Sequence, residues 1–311
     1  MQSIKEALRY LMGFAGPSGF GSSSTADQVT AQDSSHSIPP NLTAIITGAT
    51  SGIGAETARV LAKRGLRLII PARDVKRAAE VRERIRRESP TAEIVVIEMD
   101  LSSIASIRRF CARFLALGLP LNILINNAGK FCRRPQFTDD KYEMTFATNY
   151  LGHFILTETL IEKMVETARE TGIEGRIINV SSIIHKWVKR DGFRLSNMLK
   201  PKDYNATTAY AQSKLANIMH AKEIARQLKV FLMHCETDCI FFLTSRLLKT
   251  PSQGASTTCY VALNPQVQGI SGKYFVDCNE SSCSSLADDE IAAQNLWKET
   301  RTLVRRLISK P

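Results

Sequence analysis

The chain has 311 residues, 44% of them apolar and 23% charged, with a formal net charge of +11. That balance excludes an intrinsically disordered chain and supplies enough apolar mass for one large core, while no apolar run reaches the roughly 20 residues of a membrane-spanning helix. Much of the positive excess lies in residues 63–87 at helical spacing, which reads as a solvated helix face and excludes the need for a nucleic-acid partner.

Residues 4–14 read as a short amphipathic helix carrying Lys5 and Arg9. Residues 16–40, rich in Gly, Ser, Thr and Pro, read as a flexible lead-in to the domain. Together they suit a targeting segment, a surface anchor or a plain disordered N-terminus. From Leu42 short apolar runs alternate with helical stretches. Strands are expected over 42–46, 66–70, 94–97, 121–125 and 176–180, and helices over 52–64, 75–88, 104–115, 146–170 and 208–228, with a loop-rich insertion at 183–207. Continuous apolar strands alternating with helices predict an α/β fold: a doubly wound, Rossmann-like parallel sheet in three layers, forming a single domain over 41–287. Ligands in such sheets bind at the carboxyl ends of the strands, and every motif below follows a strand end.

The first expected strand runs into Thr47-Gly48-Ala49-Thr50-Ser51-Gly52-Ile53-Gly54. Gly48, Gly52 and Gly54 allow a tight turn, and the helix N-terminus behind them favours a pyrophosphate, with Thr50, Ser51 and Ile53 beside it. The second strand ends Ile70-Pro71-Ala72-Arg73. Ala72 stands where an NAD-preferring site carries a carboxylate, and the planar fork of Arg73 suits a 2′-phosphate. NADP(H) is therefore the expected cofactor. Asp100 and Leu101 end the third strand near the adenine, and Asn127 and Gly129 end the fourth near the adjacent ribose. Further on, Tyr210 and Lys214 lie four apart on one helix face. A cation beside a phenol lowers its pKa and makes an acid/base device for an alcohol or carbonyl. Seven scattered cysteines without a C-x-x-C pattern read as free thiols in a reducing compartment, and the grouping of His234, Cys235 and Cys239 as incidental, with no metal expected.

Thr47 to Gly54, Asn126-Asn127-Ala128-Gly129, Thr148-Asn149-Tyr150-Leu151-Gly152, Ser181-Ser182 and Tyr210 with Lys214 together resemble the short-chain dehydrogenase/reductase superfamily. Within it the chain resembles the retinol-dehydrogenase-like branch and, through Gly16-Pro17-Ser18-Gly19-Phe20 and Ala262-Leu263-Asn264-Pro265-Gln266-Val267, the plant short-chain dehydrogenases of the chloroplast Tic import complex. The resemblance implies a catalytic set of Asn149, Ser182, Tyr210 and Lys214. Tyr210 is then the general acid/base, Lys214 lowers its pKa and holds the nicotinamide ribose, Ser182 bonds the substrate oxygen, and Asn149 holds a relay water. It adds Ala128 and Thr148 to the cofactor set. It also implies a small carbonyl or alcohol substrate, plastid import translocon components as partners, and a peripheral place on the chloroplast inner envelope.

The pattern departs from that family after Lys229. No Pro-Gly follows the expected sixth strand, residues 230–235 stand in for it, Thr237 falls near the nicotinamide rim, and the covering segment over 230–250 is shortened. The alternative function is therefore an NADP(H)-binding redox sensor with little turnover. In the last segment, 288–311, Leu296, Trp297, Leu303, Val304, Leu307 and Ile308 form an apolar stripe opposite Lys298, Arg301, Arg305, Arg306 and Lys310. Such a helix resembles a calmodulin target or a membrane-surface helix, and equally a terminal helix docked on its own domain. The family resemblance favours calmodulin.

Overall fold

β1 (Thr43–Ile46) and β4 (Ile123–Asn126) are buried at every position. Only a parallel sheet covered on both faces buries such runs completely. The computed structural model describes residues 12–31, 38–228, 233–236 and 249–308. In it β1 pairs in parallel with β4 and with β2 (Arg67–Ala72), β2 with β3 (Ile94–Glu98), and β4 with β5 (Gly175–Asn179). A short β6 (Met233–Glu236) adds parallel to β5, placing Met233 opposite Gly175. The order is β3-β2-β1-β4-β5-β6. The stand-in sixth strand is thus present over Met233–Glu236, and residues 230–232 of the expected span lie outside the described residues. Residues 1–11, with the helix expected at 4–14, lie outside the described residues, as do Thr237, Cys239 and the side chains of His234 and Cys235.

Alternation along the strands divides the core in two. Ile45, Leu124 and Ile177 point to a cluster with Phe110 of α4 (Ile104–Ala116), Leu160 of α5 (Gly152–Thr171) and Leu215 of α7 (Ala206–Gln227). Ile46, Ile70, Ile125 and Ile178 point to the other, with Leu61 of α2 (Gly52–Lys63), Val81 of α3 (Val75–Glu88) and Val261 of α8 (Pro251–Leu263). The 183–207 insertion contains a 3-10 turn, Ile183–Trp187, and the short helix α6 (Leu195–Leu199).

Two expectations need correction. Residues 16–31 are part of the domain, not a lead-in to it. A capping box between Thr25 and Gln28 starts α1 (Ala26–Val29), and Ala26 and Val29 are buried. Asp27 pairs with Arg59 and, at 2.8 Å, with Lys63 of α2, while Asn279 Nδ2 donates to Phe20 O at 3.0 Å. The helix expected over 146–170 is interrupted by a π-helical turn, Ala147–Leu151. The terminal helix α9 (Glu290–Ile308) takes the docked alternative expected for it: Leu296, Trp297 and Val304 are buried, and the Tyr150 hydroxyl lies 2.9 Å from Thr300 Oγ1.

Candidate active site

The sheet order reverses between β1 and β4, where a crevice must open at the strand ends. Thr47 closes its floor. Its hydroxyl oxygen accepts from the amides of Asn127 and Ala128, each at 2.9 Å, and Asn127 Nδ2 donates back to Thr47 O at 2.8 Å. The turns after β1 and β4 are thereby locked together.

The glycine turn has no room for side chains on its inner side. A Cβ on Gly48, whose φ is +69°, would lie 2.8 Å from Ala128 Cα, and one on Gly54 would lie 2.3 Å from Gly48 O. Its outer side is open: Ser51 and Gly52 are exposed, a Cβ at Gly52 would meet nothing within 4 Å, and Thr50 is half-buried. Ser51 is the N-cap of α2 but makes no side-chain cap bond, so the first amides of α2 face that open side. This cradle fits the pyrophosphate of a nicotinamide dinucleotide. Ile53 is buried beneath the turn, and Arg73 is exposed just past β2. Asp100 Oδ1 accepts from the amide and hydroxyl of Ser102 at 2.8 and 2.7 Å. Leu101 packs so closely on α5 that a Cβ at Gly152 would come within 2.4 Å of its carbonyl oxygen.

Tyr210 and Lys214 lie where α7 passes the ends of β4 and β5. Lys214, 3% exposed, donates from Nζ to Val180 O at 2.9 Å, and Nζ lies 5.5 Å from the centroid of the Tyr210 ring. Phe131 packs edge-on against that ring at 5.6 Å. Asn149 sits in the π turn, wholly buried; its Oδ1 accepts from Lys130 N at 2.7 Å and its Nδ2 donates to Ser213 Oγ at 3.0 Å. A Cβ on the exposed Gly129 would lie 3.7 Å from Lys214 Nζ and 4.0 Å from Asn149 Oδ1, so the β4 turn, Asn149 and Lys214 meet. Ser181 is committed elsewhere, donating to Lys214 O at 2.7 Å. Ser182 starts the following 3-10 turn, its hydroxyl 3.5 Å from Ile184 N. Thr148, half-buried, turns its hydroxyl toward Met144 Sδ at 3.7 Å.

Two buried histidines support this set. His153 Nδ1 donates to Asn149 O at 2.9 Å, since a carbonyl only accepts, and Nε2 then accepts from the Thr47 hydroxyl at 2.9 Å. Burial, helped by the Lys214 charge, pushes the His153 imidazole down to about 4. By the same logic His185 Nδ1 donates to Ser182 O at 2.7 Å and Nε2 accepts from Ser284 N at 3.1 Å. Burial pushes His185 down to about 4 as well. Sequence reasoning missed Thr47, His153, Ser213 and Lys130 as supporting residues. The one available signal was His153 at i+4 from Asn149.

A family profile described as short chain dehydrogenase matches residues 42–190. The Brassica napus protein named short-chain dehydrogenase TIC 32 B, chloroplastic, is 45% identical over 95% of this chain and 97% of its own length. The chain belongs to the short-chain dehydrogenase family. Human retinol dehydrogenase 11 is 38% identical, with 83% of this chain and 84% of that protein aligned. Among solved structures, an uncharacterized protein from Mycobacterium paratuberculosis superposes with a TM-score of 0.72 at 28% identity, covering 86% of this chain and 96% of that one. A metagenomic short-chain oxidoreductase described as in complex with NADP shares the fold, with a TM-score of 0.58 at 24% identity over 76% of this chain and 96% of that one. The short-chain dehydrogenase family consists of nicotinamide-dependent oxidoreductases, and the open glycine cradle of this chain accords with that chemistry.

Proposed function

We propose that the chain is an NADP(H)-dependent oxidoreductase for a carbonyl/alcohol pair, with Tyr210 as general acid/base. The observation that carries this reading is the buried Lys214 ammonium beside the Tyr210 ring, held at the end of β5 by Val180 O. The ammonium favours the phenolate and so brings the phenol toward a useful proton affinity. The nicotinamide, when bound, supplies or takes the hydride. Tyr210 then gives a proton to the carbonyl oxygen in reduction, or takes one from the alcohol in oxidation. Ser182 holds that oxygen as charge develops, and Asn149, braced by Lys130 and Ser213, keeps the π turn open beside Lys214. Arg73 takes the 2′-phosphate that distinguishes NADP(H). The chloroplastic relatives support a plastid location; a place at the inner envelope and a regulatory part in protein import extend this proposal on the family resemblance.

Two measurements test it. Tyr210→Phe should lower turnover of a carbonyl panel by ~10²–10⁴-fold with NADPH binding retained; activity that survives the change removes Tyr210 from the chemistry. Arg73→Glu should weaken NADPH binding by roughly 10- to 100-fold and leave NADH binding nearly unchanged. A second reading, a cofactor-binding redox sensor with little turnover, is favoured by the absence of a Pro-Gly turn after β6. NADPH binding without turnover across that panel would select it.

A further inference from the structure

Two loops border the catalytic helix: residues 130–142, which leave the β4 turn, and residues 183–205, which run from Ser182 to α7. They are joined to each other. The Tyr204 hydroxyl donates to Cys132 O at 2.5 Å, Glu143 N donates to Leu199 O at 2.8 Å, and Lys200 Nζ lies 5.9 Å from the centroid of the Tyr142 ring. Phe131 of the first loop touches Tyr210, so this joined surface edges the candidate active site.

Its composition is unusual for a plain solvated rim. The first loop holds four Lys or Arg and two Asp, the second six Lys or Arg and two Asp, so together they carry +6 of the chain's +11. Arg133, Arg134, Lys186 and Lys189 are all exposed. Among these cations Trp187 stands 69% exposed and Phe137 48% exposed. We propose that this surface seats on an anionic lipid bilayer, with Trp187 and Phe137 entering the headgroup region and the cations facing lipid phosphates.

Charge alone would suit any anion, so the aromatic rings decide the occupant. An exposed indole gains nothing in water but gains at headgroup level, where its ring is apolar and its N–H stays wet. Each flanking Lys or Arg adds attraction to an anionic leaflet. Cofactor phosphates do not account for these cations, because they meet the α2 N-terminus and Arg73, beyond β1 and β2. Leu296, Trp297 and Val304 of α9 belong to a different surface and are buried in the domain. The proposal rests on the active-site reading only for the statement that the surface borders the substrate entrance.

The test uses the full chain with vesicles of phosphatidylcholine alone and of equimolar phosphatidylcholine and phosphatidylglycerol. The chain should co-sediment with the anionic vesicles and be released by salt. Of its two tryptophans Trp297 is 9% exposed, so a blue shift in emission on binding reports Trp187. Trp187→Ala, and separately Lys186→Glu with Lys189→Glu, should each lower partitioning about tenfold, with NADPH binding unchanged. Equal binding to both vesicle types, binding that both variants leave intact, equal binding to soluble polyglutamate, or no binding overturns the proposal. If the variants lose vesicle binding while no carbonyl is turned over, the surface stands and only the enzyme reading falls.

Discussion

The Thr47 hydroxyl donates to His153 Nε2 across 2.9 Å, joining the glycine turn to the π turn that holds Asn149. Replacing His153 with Phe keeps the bulk but removes both ring-nitrogen bonds, leaving the Thr47 hydroxyl only a long 3.4 Å alternative at Ile125 O. Losing two such bonds costs about 1–3 kcal/mol. The expected result for His153→Phe is a lower melting temperature together with a raised KM for NADPH, because both turns that border the cofactor loosen. A variant with unchanged KM and kcat would show that the bond matters only for folding.

Acid should unfold the chain through its buried histidines. Burial pushes His153 and His185 down to about 4 and His220 down to about 3, from an ordinary value of 6.5. Their folded pKa values lie below the unfolded ones, so the unfolded chain binds the extra protons. Stability from these groups is complete above pH 6.5 and falls as pH drops from there toward 4 and 3. Each proton taken up only on unfolding steepens the fall by about 1.4 kcal/mol per pH unit. Denaturant midpoints measured between pH 7 and pH 4 should fall continuously, and His220→Leu should flatten the slope. His220 suits that role because its Nε2 is buried without a hydrogen-bond partner among the described residues, against the rings of Tyr150 and Phe154.

The sheet was legible because its strands are short apolar runs separated by helical periods, and Ile45 and Ile46 need opposite faces whatever surrounds them. The glycine turn was legible because it follows such a run, and the Tyr210–Lys214 pair because four residues separate the two on one helix face. The π turn was not, since one inserted residue leaves no mark in apolar periodicity; only the structure shows it presenting Asn149 O to His153. Residues 16–31 misled for a different reason. Gly and Ser dominate the composition there, and the two buried anchors Ala26 and Val29 are small. The capping box of Thr25 and Gln28 was the local signal that a helix starts. In the terminal segment the helix was legible from its stripe, but the stripe's partner was not, because a bilayer, calmodulin and the domain all select the same apolar spacing.

The docked stripe sets a condition on the calmodulin binding expected from the sequence. Leu296, Trp297 and Val304 are buried against the domain, and Arg301 stacks on Trp297 at 4.7 Å. A calcium-loaded calmodulin that bound this helix would therefore have to compete with the domain for the same side chains. Tyr150→Phe removes the bond to Thr300 without touching the stripe. It should loosen docking by about 1 kcal/mol and strengthen calcium-dependent calmodulin binding about fivefold, while a peptide of residues 290–311 binds more tightly than either chain. Titration by fluorescence anisotropy decides this: a peptide no tighter than the intact chain would show that docking does not compete.

Gly54 and Gly52 sit two residues apart in one turn and should respond differently to the same substitution. A Cβ at Gly54 would lie 2.3 Å from Gly48 O and 2.4 Å from Asn127 Nδ2, both part of the locked turn, so Gly54→Ala must push α2 off the crevice. At Gly52 a Cβ meets nothing within 4 Å, and the strain is only that of a φ of +54°, about 1 kcal/mol. Gly54→Ala should therefore lose NADPH binding by more than about tenfold and cost several kcal/mol, on the scale of about 1–3 for overpacking plus the broken Asn127 bond. Gly52→Ala should fold almost normally. Its cofactor binding should still weaken, because the new methyl occupies the open side where the pyrophosphate approaches. Thermal shift with and without NADPH separates the two: Gly54→Ala lowers the melting temperature of the free protein, whereas Gly52→Ala mainly shrinks the increment that NADPH adds. Equal losses in the free protein would mean that the turn is not locked through Gly48 and Asn127.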